Sequence, residues 1–142
     1  MMGLYLDTNF FLYASKRTSP FYKDCVALVK YSSKNQIKIF TSCETIQEII
    51  HLAKNTKVLD KGISTSKRTI KLIDELLPLT KEVITLYLDL AKKYRSATSR
   101  DLIHLATCLE NKIDTIITHD SDFKKFKEVK VFKPEDFLKE KS

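Results

Sequence analysis

The sequence predicts an α/β fold, a three-layer α/β/α sandwich around a central parallel sheet of four to five strands. Two patterns lead there. Short apolar runs bounded by polar residues alternate with longer stretches at helical spacing, the order that sets parallel strands between crossover helices. Several of those runs also stop on a carboxylate, first at Gly3-Leu4-Tyr5-Leu6-Asp7, and in open parallel sheets the carboxyl ends of the strands face the ligand crevice. Composition agrees: 142 residues with 43% apolar, 30% charged, 2 Gly and 3 Pro exclude a disordered chain, a collagen-like repeat or a disulfide scaffold. With no internal repeat, low-complexity tract or Pro/Ser-rich linker, one domain spanning residues 1–142 is expected.

Gly3-Leu4-Tyr5-Leu6 reads as a buried strand, followed by Asp7-Thr8-Asn9 and an apolar helical run, Phe10 to Ala14. Asp7 has two readings at this point, a functional carboxylate at the crevice or the cap of the helix that follows. Ser19-Pro20 reads as N-cap and first residue of a second helix to about Ser33, with Phe21, Cys25, Leu28 and Val29 on its buried stripe. Ile37 to Thr41 is the next strand, and Ser42 suits the N-cap of a helix over Cys43 to Lys54. That helix turns Ile46, Ile49, Ile50 and Ala53 to the core and carries Glu44 and Glu48 one turn apart on its flank.

Asn55 to Ser66 is polar and basic and holds one of the glycines, which reads as a connection and mobile flap. A helix is expected through Ile70, Leu72, Ile73, Leu76 and Leu77, stopped by Pro78, with a very short strand at Leu79. Thr80 then caps a helix running to Ala91, Arg95 to Ser99 form a polar turn, and a helix starts at Arg100-Asp101 and continues through Asn111. Asp101 shares a helix face with Leu105 and Cys108 and so points inward, where a carboxylate needs N–H donors, a base or a cation, although its first-turn position also suits the helix dipole. Asp114 to Thr118 is a strand that runs into His119-Asp120-Ser121-Asp122-Phe123. Lys124 to Lys127 form a basic turn, Val129 to Phe132 a last strand, and Pro134 to Lys139 a terminal turn or helix.

No apolar run nears the roughly 20 residues that span a bilayer, and the N-terminus lacks a signal-peptide layout, so a cytoplasmic protein with no membrane partner is expected. Cys25, Cys43 and Cys108 are odd in number and widely spaced, which reads as reduced, mostly buried thiols. No Cys-x-x-Cys pair exists, and His51, His104 and His119 lie far apart, which argues against zinc. The net charge of +7 favours a polyanionic partner such as nucleic acid.

Asp7, Glu48, Asp101 and Asp120, with Asp122 beside the last, thus fall at strand ends or inward-facing helix positions. Several carboxylates share a pocket only with a counter-ion, because each raises the pKa of the others, and an all-oxygen donor set suits Mg²⁺ or Mn²⁺. The motifs Leu6-Asp7-Thr8-Asn9, Glu44-Thr45-Ile46-Gln47-Glu48-Ile49-Ile50-His51, Ser99-Arg100-Asp101-Leu102-Ile103-His104-Leu105-Ala106, Ile117-Thr118-His119-Asp120-Ser121-Asp122-Phe123 and Lys133-Pro134-Glu135-Asp136-Phe137-Leu138 give the chain its family character. In their order and separation the sequence resembles the PIN-domain ribonucleases, and among them the VapC-like toxins of type II toxin-antitoxin systems.

The resemblance implies a PIN-like fold over nearly the whole chain and a metal-dependent endoribonuclease in which Asp7, Glu48, Asp101 and Asp120 bind one or two Mg²⁺ or Mn²⁺ ions and orient a water for attack on RNA. It places Asn9 and Thr118 as polar residues steering those carboxylates, and it implies an antitoxin partner, a homodimer, and tRNA, rRNA or mRNA as substrate. Asp122 reads either as a further metal ligand or as the cap of the turn before Phe123, and Glu44 is the rival of Glu48. Arg95, Arg100, Lys57 and Lys61 are the candidates for phosphate contacts, against a plain reading as solvated surface. His104 is read as a packed or hydrogen-bonded helix histidine rather than a base, and Phe10, Phe11, Tyr13, Tyr87 and Tyr94 as core or dimer face. An RNA-processing nuclease without an antitoxin and a catalytically silent RNA-binding scaffold are the alternatives. A phosphatase of the haloacid dehalogenase type is disfavoured because Asn9 stands where its second acid belongs.

Overall fold

A computed structural model describes residues 3–141; Met1, Met2 and Ser142 of the expected domain lie outside the described residues. Five strands, β1 (Gly3–Leu6), β2 (Lys38–Ser42), β3 (Glu75–Leu77), β4 (Thr115–Ile117) and β5 (Lys130–Phe132), form one sheet in the order β3-β2-β1-β4-β5. Every pairing is parallel; Tyr5 lies opposite Phe40 on one side and Ile116 on the other. The order reverses at β1: the chain builds outward through β2 and β3, then crosses back to lay β4 and β5 on the other flank. Ligand crevices in such sheets open beyond the strand ends at this reversal.

Helices α1 (Thr8–Ala14), α2 (Tyr22–Lys34), α3 (Cys43–Asn55), α4 (Leu59–Leu72), α5 (Lys81–Lys93), α6 (Ser99–Glu110) and α7 (Pro134–Lys141) cover the two faces. Strand alternation divides the core. Tyr5 joins Leu102, Leu105, Ile116, Phe123 and Phe126 on the α5–α6 side, while Leu4 and Leu6 join Phe10, Cys25, Leu28, Ile49 and Phe137 on the other. Among the described residues no helix is long and apolar enough to cross a membrane.

Several local expectations are corrected. The second helix starts at Tyr22 rather than at Pro20, because Ser19 closes a turn first: its Oγ accepts from the Phe21 N–H (3.1 Å) and its carbonyl from the Tyr22 N–H (3.2 Å). Ser42 precedes α3 in extended conformation, yet its hydroxyl bonds the Tyr5 hydroxyl (2.8 Å) and makes no cap. Cys43 is exposed, since the first residue of α3 faces outward, whereas Cys25 and Cys108 are buried thiols.

The largest correction is α4, which occupies most of the expected flap. Its buried face is small and polar, Gly62, Thr65, Ser66 and Thr69, while Leu59, Ile63 and Ile70 are exposed. Gly62 is there for proximity: a Cβ at that position would lie 2.3 Å from the Ala53 Cβ, so the glycine allows α4 to dock on α3. Beyond it the expected helix through Leu77 gives way to β3. Asp74 clamps the entry to that strand, donating its N–H to the Ile39 carbonyl (2.9 Å) and accepting the Ile39 N–H on Oδ2 (2.8 Å). Leu79, expected in a strand, is exposed and irregular.

Candidate functional site

A cavity of about 410 Å³ opens at the reversal point, and Asp7, Glu48, Asp101, Asp120 and Asp122 all line it. Asp7 arrives at the end of β1, Asp120 and Asp122 follow β4, Glu48 projects from α3 and Asp101 from the first turn of α6. The bond from the Asp7 N–H to the Ile117 carbonyl (3.4 Å) keeps the two strand ends abreast.

Both readings of Asp7 hold at once. It is the N-cap of α1, its Oδ1 accepting the Phe10 N–H (3.1 Å), and it is a cavity carboxylate whose Oδ2 accepts the Thr118 hydroxyl (2.6 Å). Only 4% of Asp7 is exposed, and burial is the main reason its pKa is pushed up to about 6. The Thr118 hydroxyl, the His104 ring and the Phe10 N–H oppose that rise, while the charge of Asp120 adds to it. Thr118 also accepts the Asp120 N–H (2.9 Å), so one hydroxyl ties the β4 end to both acids. Asn9 lines the cavity, half-buried, one residue into α1.

Asp101 sits where α6 begins, its N–H donated to the Thr98 hydroxyl (3.2 Å), which caps the helix. Burial raises its pKa and the charge of Asp120 raises it further, against Thr98, His104 and Lys125. Asp120 caps a one-turn 3-10 helix, Ser121–Lys125, accepting the Asp122 N–H on Oδ1 (2.9 Å). Oxygens of Asp101, Asp120 and Asp122 all lie within 4.8 Å of one another, so Asp120 and Asp122 are brought together rather than being alternatives. Three carboxylates this close repel one another unless a cation lies among them, and an all-oxygen set fits a hard divalent ion.

Glu48 is 8% exposed and lines the cavity, whereas Glu44 does not; burial and then the charge of Glu48 raise the Glu44 pKa. Arg100 also lines the cavity, its guanidinium 3.9 Å from Glu48 Oε2. Arg95 in the turn before α6, Lys57 in the turn before α4 and Lys61 on α4 are exposed and do not line it. Sequence reasoning passed over Thr98 and the Tyr5 hydroxyl. His104 is hydrogen-bonded, as expected of a helix histidine, but its partners are Glu48 (2.8 Å) and Tyr5, and it lines the cavity itself. The available signal was spacing: Tyr5 lies two strand positions from Asp7 and His104 one helical turn from Asp101.

The family model for the PIN domain matches residues 4–129. Ribonuclease VapC23 of Mycobacterium tuberculosis is 26% identical over 121 residues, covering 82% of this chain and 92% of that protein. VapBC2 from Rickettsia felis, solved bound to a DNA fragment from its promoter, superposes with a TM-score of 0.76 at 17% identity, over 92% of this chain and 97% of that one. Mycobacterium tuberculosis VapC20, described as a Sarcin-Ricin loop cleaving toxin, gives a TM-score of 0.70 at 14% identity, over 90% and 99%. At these identities the solved structures speak for the fold.

Proposed function

The chain belongs to the PIN-domain family, and from that premise we propose that it is a metal-dependent endoribonuclease, the toxin of a toxin-antitoxin pair, acting in the cytoplasm. The observation that carries this reading is the convergence of five carboxylates on one cavity at the sheet reversal, in a chain whose net charge is +7. Such a protein attracts a polyanion with its surface and needs a cation in its pocket.

Asp101, Asp120 and Asp122, with Asp7 and Glu48 behind them, would hold Mg²⁺ or Mn²⁺. Such an ion, when bound, polarises a phosphodiester and lowers the pKa of water. The chain's own part is placement. Thr118 and the Phe10 N–H hold Asp7 in one orientation, and Arg100 at the rim is set to meet a phosphate. The ribonuclease name of VapC23 supports RNA as substrate, and the VapBC structures support an antitoxin partner, whose basic side chains would find counter-charges in the same cavity. The domain is taken to act as one unit over residues 1–142 and as a homodimer.

Expression in a bacterial host tests the reading. Wild type should arrest growth with discrete cleavage of cellular RNA, and Asp101→Asn at equal abundance should do neither. Equal arrest by the variant would overturn the proposal.

A further inference from the structure

The buried hydrogen bonds behind the cavity carry an inference that rests on the nuclease reading and deepens it. We infer that His104 is a positioning residue: it fixes the Glu48 carboxylate at the cavity wall through a chain of hydrogen bonds anchored on Tyr5 of the central strand.

His104 is 2% exposed and Tyr5 fully buried. Its Nε2 lies 2.8 Å from Glu48 Oε1 and its Nδ1 is hydrogen-bonded to the Tyr5 hydroxyl. A carboxylate can only accept, so the proton of that pair is on Nε2. The Tyr5 phenol donates to the Ser42 hydroxyl oxygen (2.8 Å), which ties its ring to the end of β2. The chain of contacts therefore runs from Ser42 through Tyr5 and His104 to Glu48 and ends at the cavity.

The other Glu48 oxygen faces Arg100, whose side chain is 58% exposed and 3.9 Å away. A contact that long to an exposed guanidinium holds geometry weakly. His104 is the buried partner, and it sets the rotamer. The chain also joins three elements that bring acids to the cavity: Tyr5 lies on β1 two residues before Asp7, His104 on α6 one turn after Asp101, and Glu48 on α3. Buried polar groups of this kind are often replaced by apolar residues of similar volume without loss of stability. What an apolar trio would not supply is a donor aimed at Glu48, just as histidines and carboxylates at metal sites are oriented by their outer partners.

The test uses the full chain and two substitutions that separate the ring's two sides. The amide of His104→Gln reaches about as far as Nε2 and keeps a donor for Glu48, whereas His104→Asn reaches only the Nδ1 side. Mn²⁺ binding without RNA is read from the loss of the free-ion electron paramagnetic resonance signal, beside kcat and KM for RNA cleavage and the thermal midpoint. His104→Asn should weaken Mn²⁺ binding and lower kcat by about tenfold each, with KM within about twofold, and His104→Gln should recover both to within about threefold. The inference is overturned if His104→Asn matches wild type in both, or if both variants lose function in proportion to a shared loss of thermal midpoint. A wild type that binds Mn²⁺ but cleaves no RNA would count against the nuclease reading alone, and the Mn²⁺ comparison would still decide the role of His104.

Discussion

On the inner wall of the cavity, Asp7 and Glu48 are nearly buried and their oxygens already meet protein donors: the Phe10 N–H, the Thr118 hydroxyl and the His104 ring. On the outer wall, Asp101, Asp120 and Asp122 crowd their oxygens within 4.8 Å of one another, and Asp122 is exposed. The inner acids are held in place by the fold before any ion arrives. The outer acids are a cluster whose repulsion an ion relieves. Substitutions on the two walls should therefore differ in kind as well as in size.

Asp7→Asn should have the largest effect and a double one. Loss of a buried charge beside the proposed ion should lower RNA cleavage by at least about a hundredfold. Metal-free stability at neutral pH should move the opposite way. The Asp7 pKa in the fold is about 6, above its ordinary 3.8, so the fold favours the protonated form. Its stabilising contribution is complete below about pH 4 and is lost as pH rises through about 6, on the order of 2–3 kcal/mol in all. Asp101, also raised, adds to the same slope. Urea titrations of the metal-free protein from pH 4 to 7 should show stability falling for wild type and a clearly flatter profile for Asp7→Asn.

Asp122→Asn is the outer-wall counterpart. Mn²⁺ affinity should fall about tenfold, while metal-free stability stays within about 0.5 kcal/mol, the range of ordinary surface changes. A stability change as large as that of Asp7→Asn would erase the distinction between the walls. Thr118→Val probes the inner wall through its donor. Removing the hydroxyl shared by Asp7 and the Asp120 N–H should destabilise the chain by about 1–3 kcal/mol and raise the Asp7 pKa further, visible as a pH midpoint of stability displaced upward.

The smallest effect lies far from the site and bears on how the fold is written in the sequence. Gln36, Lys57 and Lys112 adopt left-handed backbone (φ 57°, 59° and 58°) just past the ends of α2, α3 and α6, positions where glycine is usual. Lys112→Gly should stabilise the protein by about 0.5–1 kcal/mol in the same titrations.

Those three residues also show why helix ends were hard to read, since the usual stop signal is absent. The central strands were legible because the apolar runs that halt at Asp7 and before Asp120 are too short for a buried helix and too apolar for a surface loop. α4 was not: tight docking on Ala53 puts Gly62, Thr65, Ser66 and Thr69 inside and leaves Leu59, Ile63 and Ile70 outside, the reverse of an amphipathic helix. β3 was hidden because Ile73, Leu76 and Leu77 continue a helical spacing, and only the Asp74 clamp to Ile39, a tertiary contact, turns them into a strand. In the cavity, the acids announced themselves by position, whereas Tyr5 and His104 passed as core residues. Lys57, Lys61 and Arg95 are candidates on charge alone, which carries no direction, and they do not line the cavity.

The most direct test of the central claim, that this acidic cavity holds the ion at which RNA is cut, is cleavage of structured and single-stranded RNA by purified wild type and Asp7→Asn, each with Mn²⁺, Mg²⁺ or EDTA. Cutting by wild type with Mn²⁺ or Mg²⁺, abolished by EDTA and by Asp7→Asn, is the predicted result. Cutting that persists in EDTA, or in a folded Asp7→Asn protein at wild-type rate, would contradict it.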